Sequence, residues 1–181
     1  MKKIKVWDWQ TRFFHWSLAT SLAFMWFSAE QGGDWLVWHL RCGLWIFALL
    51  IFRLCWGIWG SESARFAQFV QPHKIPAYFA GKLSPKAQLG HNPLGALMVV
   101  ALLLILSIQV VSGLFTADEN TFINHGFLNH LVSTSFADGM RAVHFINFNI
   151  VLLLAAIHIA TIFFYKWIKK NNLITPMLTG Y

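Results

Sequence analysis

Four long, mostly apolar stretches set the limits on what this chain can fold into: Phe13–Ala29, Leu36–Trp59, Leu94–Phe115 and Val143–Ile168. Each runs roughly 17–26 residues, the length that a tilted helix needs to cross the hydrocarbon of a bilayer. Lipid offers the backbone no hydrogen-bonding partner, and only a helix satisfies its own backbone within one segment. The expected fold is therefore an all-α integral membrane protein, a bundle of four transmembrane helices forming one membrane domain over residues 1–181. Charged residues make up 12% of the sequence, about half the share usual in a soluble domain. The first stretch lacks a clear Ala-x-Ala cleavage site and carries His15, so it reads as a span and not as a secretory signal.

Basic residues give the topology. Twelve of the fourteen Lys and Arg fall in or beside the two termini and the connection 60–93, leaving only Arg41 and Arg141 toward the opposite face. The positive-inside rule then puts both termini and loop 60–93 in the cytoplasm, and loop 116–142 in the periplasm. The net charge of +7 is spent flanking apolar spans and makes no patch interleaved with polar surface, so nucleic acid is excluded as a partner and membrane lipid takes its place. Segment 66–81 mixes Phe66, Phe69, Tyr78 and Phe79 with basic residues and predicts a short interfacial helix. Glu30–Trp35 reads as a tight turn on Gly32 and Gly33.

Cys42 and Cys55 stand thirteen residues apart in one span, roughly 20 Å along a helix, and cannot form a disulfide. Both read as small buried packing residues. The absence of Cys-x-x-Cys-His removes the signal for a covalent c-type haem.

Four of the eight histidines lie in the spans: His15, His39, His144 and His158. Ionisable residues are costly in lipid and point to function. His144 and His158 are fourteen residues apart, which puts them on one face of the fourth helix, roughly 21 Å apart along its axis. His15 enters the first helix from the inside, and His39 enters the second from the outside. The expectation is an inner pair, His15 with His158, and an outer pair, His39 with His144.

Pairs of neutral imidazoles in an apolar bundle narrow the chemistry. Zinc favours a closed set of more ligands. Carboxylate di-iron sites need several Glu and Glu-x-x-His pairs, which the spans lack. A b-type haem needs only two axial ligands and fills an apolar pocket with its own ring. Two haem b groups, each between two histidines, fit these residues best. Gly43 and Gly57 on the second helix would let a flat ring approach the backbone, and Arg53, fourteen residues after His39, could meet a haem propionate. His91, opening the third span, could meet a propionate or a quinone head group. The third span holds no mid-membrane histidine, so it is expected to be a wall of the bundle; its Gln109 reads as an interhelical hydrogen-bonding residue.

Several stretches together resemble the bacterial cytochrome b561 family, the four-helix di-haem group that includes the b-type subunits of nickel–iron hydrogenases. They are Val6-Trp7-Asp8 with Arg12-Phe13-Phe14-His15-Trp16, Trp38-His39, Phe52-Arg53-Leu54-Cys55-Trp56-Gly57, and Ser63-Ala64-Arg65-Phe66. Gly90-His91-Asn92-Pro93-Leu94-Gly95, Ser112-Gly113-Leu114-Phe115, and His144 with His158 continue the match. The resemblance implies haem b, bis-histidine ligation from the first, second and fourth helices, and a place in the bacterial inner membrane. It also implies electron exchange with quinone or quinol and with a periplasmic redox partner. The chain is shorter than the hydrogenase subunits, which favours a soluble c-type cytochrome at least as much as another redox subunit. Monomer and homodimer stay open.

Electron transfer is the leading expectation, and whether the chain is itself a quinone oxidoreductase is left open. The runner-up is a small proton-coupled transporter using the histidines as a relay. No span carries Asp or Glu, and no broken helix marks a midplane site.

Overall fold

The computed structural model describes residues 5–80, 82, 92–117 and 125–181. Those residues are helical and irregular, with no strand among them. Seven α-helices follow in chain order: α1 (Trp9–Gln31), α2 (Trp35–Trp59), α3 (Phe66–Phe69), α4 (Ile75–Phe79), α5 (Pro93–Phe115), α6 (Thr134–Trp167) and α7 (Ile174–Thr179).

Local chemistry sets the helix ends. Asp8 caps α1, its Oδ1 accepting from the Thr11 backbone N–H at 2.6 Å. Gly32 and Gly33 take φ of +63° and +53° between α1 and α2, a left-handed conformation that glycine adopts without steric cost. Asn92 caps α5 through Gly95 N–H at 2.7 Å, and Pro93 fills the first helical position, where a missing N–H costs nothing. Ser133 Oγ accepts from Phe136 N–H at 3.4 Å at the start of α6.

Helices α2, α5 and α6 are long and apolar enough to cross a membrane. Helix α1 has 23 residues but is more polar, carrying Arg12, His15, Glu30 and Gln31. Helix α6 has 34 residues, about 51 Å, and begins nine residues before the expected span. Loop 116–142 is accordingly shorter than its sequence boundaries suggest. Hydropathy marks where lipid begins, and a capped helix can start well before it. Segment 66–81, expected to include a short helix at the interface, holds two short helices among its described residues, α3 and α4, with a 3₁₀ turn at Pro72–Lys74 between them. Pro72 and Pro76 lack the backbone donors that one continuous helix would use.

The chain divides into two compact units. One contains Met1–His15, Phe52–Leu102 and Leu154–Tyr181; its buried apolar side chains include Trp7, Phe14, Ala64 and Ala96. In it, the Gly180 carbonyl accepts from Val6 N–H at 2.8 Å, and Arg12 Nη1 donates to the Leu178 carbonyl at 2.6 Å. The other contains Trp16–Ile51 and Leu103–Leu153, with Ile46, Leu49, Leu50, Leu103, Leu106 and Val151 buried. Large apolar side chains also cover the outside: Phe145 is 67% exposed and Leu153 60%. Such a surface needs lipid around it. Cys42 is half-buried, whereas Cys55 is exposed on α2, against the expectation that both pack inside. In lipid, the outside of a helix suits a thiol as well as the inside does.

Two histidine pairs as a candidate cofactor centre

The four span histidines meet in the two pairs that spacing predicts. In the first unit the rings of His15 on α1 and His158 on α6 have centroids 6.3 Å apart, tilted by 53°. In the second unit His39 on α2 and His144 on α6 have centroids 6.4 Å apart at 75°. An imidazole nitrogen sits about 2 Å from a first-row metal that it ligates and about 1 Å from its own ring centre, so two rings facing each other across one metal stand about 6 Å apart. Both pairs have that separation. Among the described residues no cluster of three or more His, Cys, Asp or Glu is arranged to hold a metal ion. A metal held here needs its remaining ligands from elsewhere, as a haem iron obtains them from its macrocycle.

The second pair also shows which ring nitrogen is free to ligate. His39 Nδ1 lies 3.1 Å from the Met25 carbonyl, and His144 Nδ1 lies 2.9 Å from the Gln109 carbonyl. A carbonyl only accepts, so in both rings Nδ1 carries the proton and Nε2 keeps its lone pair. Helix α5, expected to be only a wall, therefore supplies the acceptor that orients one of the rings. Gln109 also makes the expected interhelical bond, its Oε1 accepting from Asn147 Nδ2 at 2.7 Å. Asn147 donates as well to the Ile105 carbonyl at 3.0 Å, which satisfies its buried amide.

Gly113 on α5 makes room for the His144 ring. A Cβ at position 113 would stand 2.8 Å from His144 Cε1, closer than real contacts come, and a tight 3.1 Å from Nδ1. The glycines named from sequence sit differently. At Gly43 a Cβ would meet only Met25 Cε, at an ordinary 3.7 Å. Gly57 lies against the Phe66 ring, which fills the space a side chain there would need.

Arg53, in the first unit, is 3% exposed. Its Nη2 donates to the Ala64 carbonyl at 3.2 Å, and its guanidinium stands 4.7 Å over the Phe66 ring. Its Nη1 is buried and has no hydrogen-bond partner among the described residues. A buried cation with an unused donor fits an anionic oxygen, and Asp8 supplies a neighbouring negative charge. Asp8 is itself buried; its Oδ2 accepts from the Ser61 hydroxyl and from Trp56 Nε1 at 3.4 Å. Burial alone would push this carboxyl up, but the donors from Ser61, the Thr11 backbone and Trp56 outweigh it and hold Asp8 below the ordinary value of 3.8. His91 lies outside the described residues.

Sequence reasoning missed Ser28 and Ser112, whose hydroxyls stand 3.3 Å from Nδ1 of His39 and His144, respectively. Asp8 and Ser61 were likewise unassigned. Asp8 carried a readable signal, a capping residue before an apolar run; Ser112 stood in a family-like stretch with no role attached, and Ser28 carried no signal.

A family model described as prokaryotic cytochrome b561 matches residues 6–180. No curated protein and no solved structure matches the chain.

Proposed function

The chain belongs to the prokaryotic cytochrome b561 family, and from that premise we propose that it is a di-haem cytochrome of the bacterial inner membrane, carrying electrons between a quinone pool and a periplasmic redox partner. The family consists of membrane b-type cytochromes of electron transfer that bind haem b. Haem supplies reversible one-electron exchange at its iron.

The observation that carries the reading is the equal ring separation in two pairs, 6.3 and 6.4 Å, each suited to one iron between two imidazoles. In this reading His15 and His158 hold one haem, and His39 and His144 hold the other. Two histidine ligands to each iron would leave no open coordination site for oxygen chemistry. Arg53 offers its unused Nη1 to a propionate carboxylate of the haem held by His15 and His158. Gly43, which has no side chain of its own and only Met25 Cε in ordinary contact beside it, would take the flat face of the other ring system. In this reading α1 is the first of four spans, both termini are cytoplasmic, and a periplasmic c-type cytochrome would exchange electrons with the haem of His39 and His144. The quinone would exchange electrons at a haem edge.

The test is the absorption spectrum of detergent-purified chain, oxidised and then dithionite-reduced, with haem counted by pyridine haemochrome. Sharp low-spin b-type bands and two haems per chain are expected. One haem would remove one pair from the reading. A colourless, folded protein would overturn it and put a proton-relay transporter first.

A further inference from the structure

The rings of His39 and His144 are held by the same device, built on two helices that supply neither histidine. On α1 the Met25 carbonyl lies 3.1 Å from His39 Nδ1, and Ser28 Oγ lies 3.3 Å from the same nitrogen. Ser28 donates its hydroxyl proton back to the Met25 carbonyl at 3.1 Å. On α5 the Gln109 carbonyl lies 2.9 Å from His144 Nδ1, Ser112 Oγ lies 3.3 Å from it, and Ser112 donates to the Gln109 carbonyl at 3.0 Å. In both cases the serine follows the carbonyl by three residues. Both serines are buried, at 0% and 2% exposure.

Hydrogen-bond inventory settles the direction of each contact. The carbonyl accepts only, so Nδ1 is the protonated nitrogen of each ring. The serine has given its proton to the carbonyl, so it turns a lone pair toward Nδ1–H. Each imidazole proton is therefore shared between two oxygens, one from the backbone and one from the serine. Serines often bond back onto their own helix for local reasons alone. Two serines doing so at the same offset, each against one member of the same histidine pair, form a matched pair of seats. Acceptors on the far nitrogen fix a ligating ring's tautomer and plane, and make its other nitrogen more basic.

We propose that Ser28 and Ser112 are twin positioning residues that orient His39 and His144 and lower the reduction potential of the haem this pair holds. The inference rests on the cytochrome reading above. A more basic pair of ligands favours the oxidised iron, so removing a serine acceptor raises the potential of that haem alone.

The experiment is a potentiometric titration of detergent-purified full-length chain, with haem counted in parallel, for the wild type, Ser28→Ala, Ser112→Ala, the double variant and Ser112→Thr. One of the two midpoints is expected to rise in each alanine variant, further in the double variant, with the other midpoint unmoved. Ser112→Thr keeps the hydroxyl and returns the midpoint toward the wild-type value. Should an alanine variant lose haem, a fall from two per chain to one, with the surviving midpoint unchanged, supports the seat. Two haems with unmoved midpoints, equal shifts of both midpoints, or loss of both haems would overturn it. A wild type without haem overturns the cytochrome reading and this inference together. A wild type with two haems that ignores both serines overturns this inference alone.

Discussion

The ring planes of His39 and His144 cross at 75°, whereas those of His15 and His158 are tilted by 53°. In an oxidised low-spin iron each imidazole plane raises one of two iron π orbitals. Nearly crossed planes raise both alike and leave the orbital momentum less quenched. On the proposed function, a haem held by His39 and His144 would give the more anisotropic of two low-spin EPR signals, and His144→Ala should abolish that signal. Two signals of equal anisotropy, or survival of the wider one in His144→Ala, would contradict the ring geometry.

Single histidine replacements should separate the pairs. His144→Ala is expected to lower the haem count from two per chain to one, and His15→Ala to do the same with a different residual spectrum. No histidine is shared between the pairs, so the remaining haem should stay bound. Loss of both haems from a folded variant, or of neither, would break the pairing.

The two glycines beside the second pair should behave differently. Gly113→Ala puts a Cβ against the His144 ring and is expected to destabilise the chain by about 1–3 kcal/mol, with loss of one haem. Gly43→Ala meets only ordinary contact within the chain itself, so its fold should survive. If the macrocycle lies against Gly43, that variant should lose haem at the same pair without losing helicity. Full haem content in Gly43→Ala would take Gly43 out of the site.

Asp8 should give stability an acid limb. Its carboxyl is held below 3.8 in the folded chain, so the folded state favours the ionised form. That contribution is present in full above the unfolded value and is lost as pH falls through the folded value. Thermal stability in detergent is therefore expected to drop as pH is lowered below about 4. Asp8→Asn, whose single amide oxygen cannot replace both carboxylate oxygens toward Thr11, Ser61 and Trp56, should cost about 2 kcal/mol at neutral pH and flatten the acid limb. An Asp8→Asn chain with an unchanged acid limb would assign that limb to other groups.

The histidine pairs were legible because one helix fixes the phase of any two residues on it. Fourteen residues is close to four turns, so His144 and His158 could be placed on one face before any fold was known. The turn at Gly32 and Gly33 was equally plain, since few residues accept its backbone conformation. Ser28 and Ser112 were opaque for the opposite reason. Each acts on a histidine of another helix, and sequence spacing carries no phase between helices. Gly57 misled in the same way: a glycine declares that something is close, but not that it is Phe66. The early start of α6 was hidden by reading hydropathy as the mark of a helix, when Ser133 ends the loop and lipid begins later.

Both pairs take one histidine from α6, the last of the long helices. A ribosome must therefore have passed residue 144 before the pair with His39 can close, and residue 158 before the pair with His15 can. The earlier helices can enter the bilayer, but they present only His15 and His39, one half of each clasp. If the pairs hold haem as proposed, cofactor loading would be deferred to the end of synthesis, and a nascent chain halted before α6 would stay colourless however well its first helices had inserted.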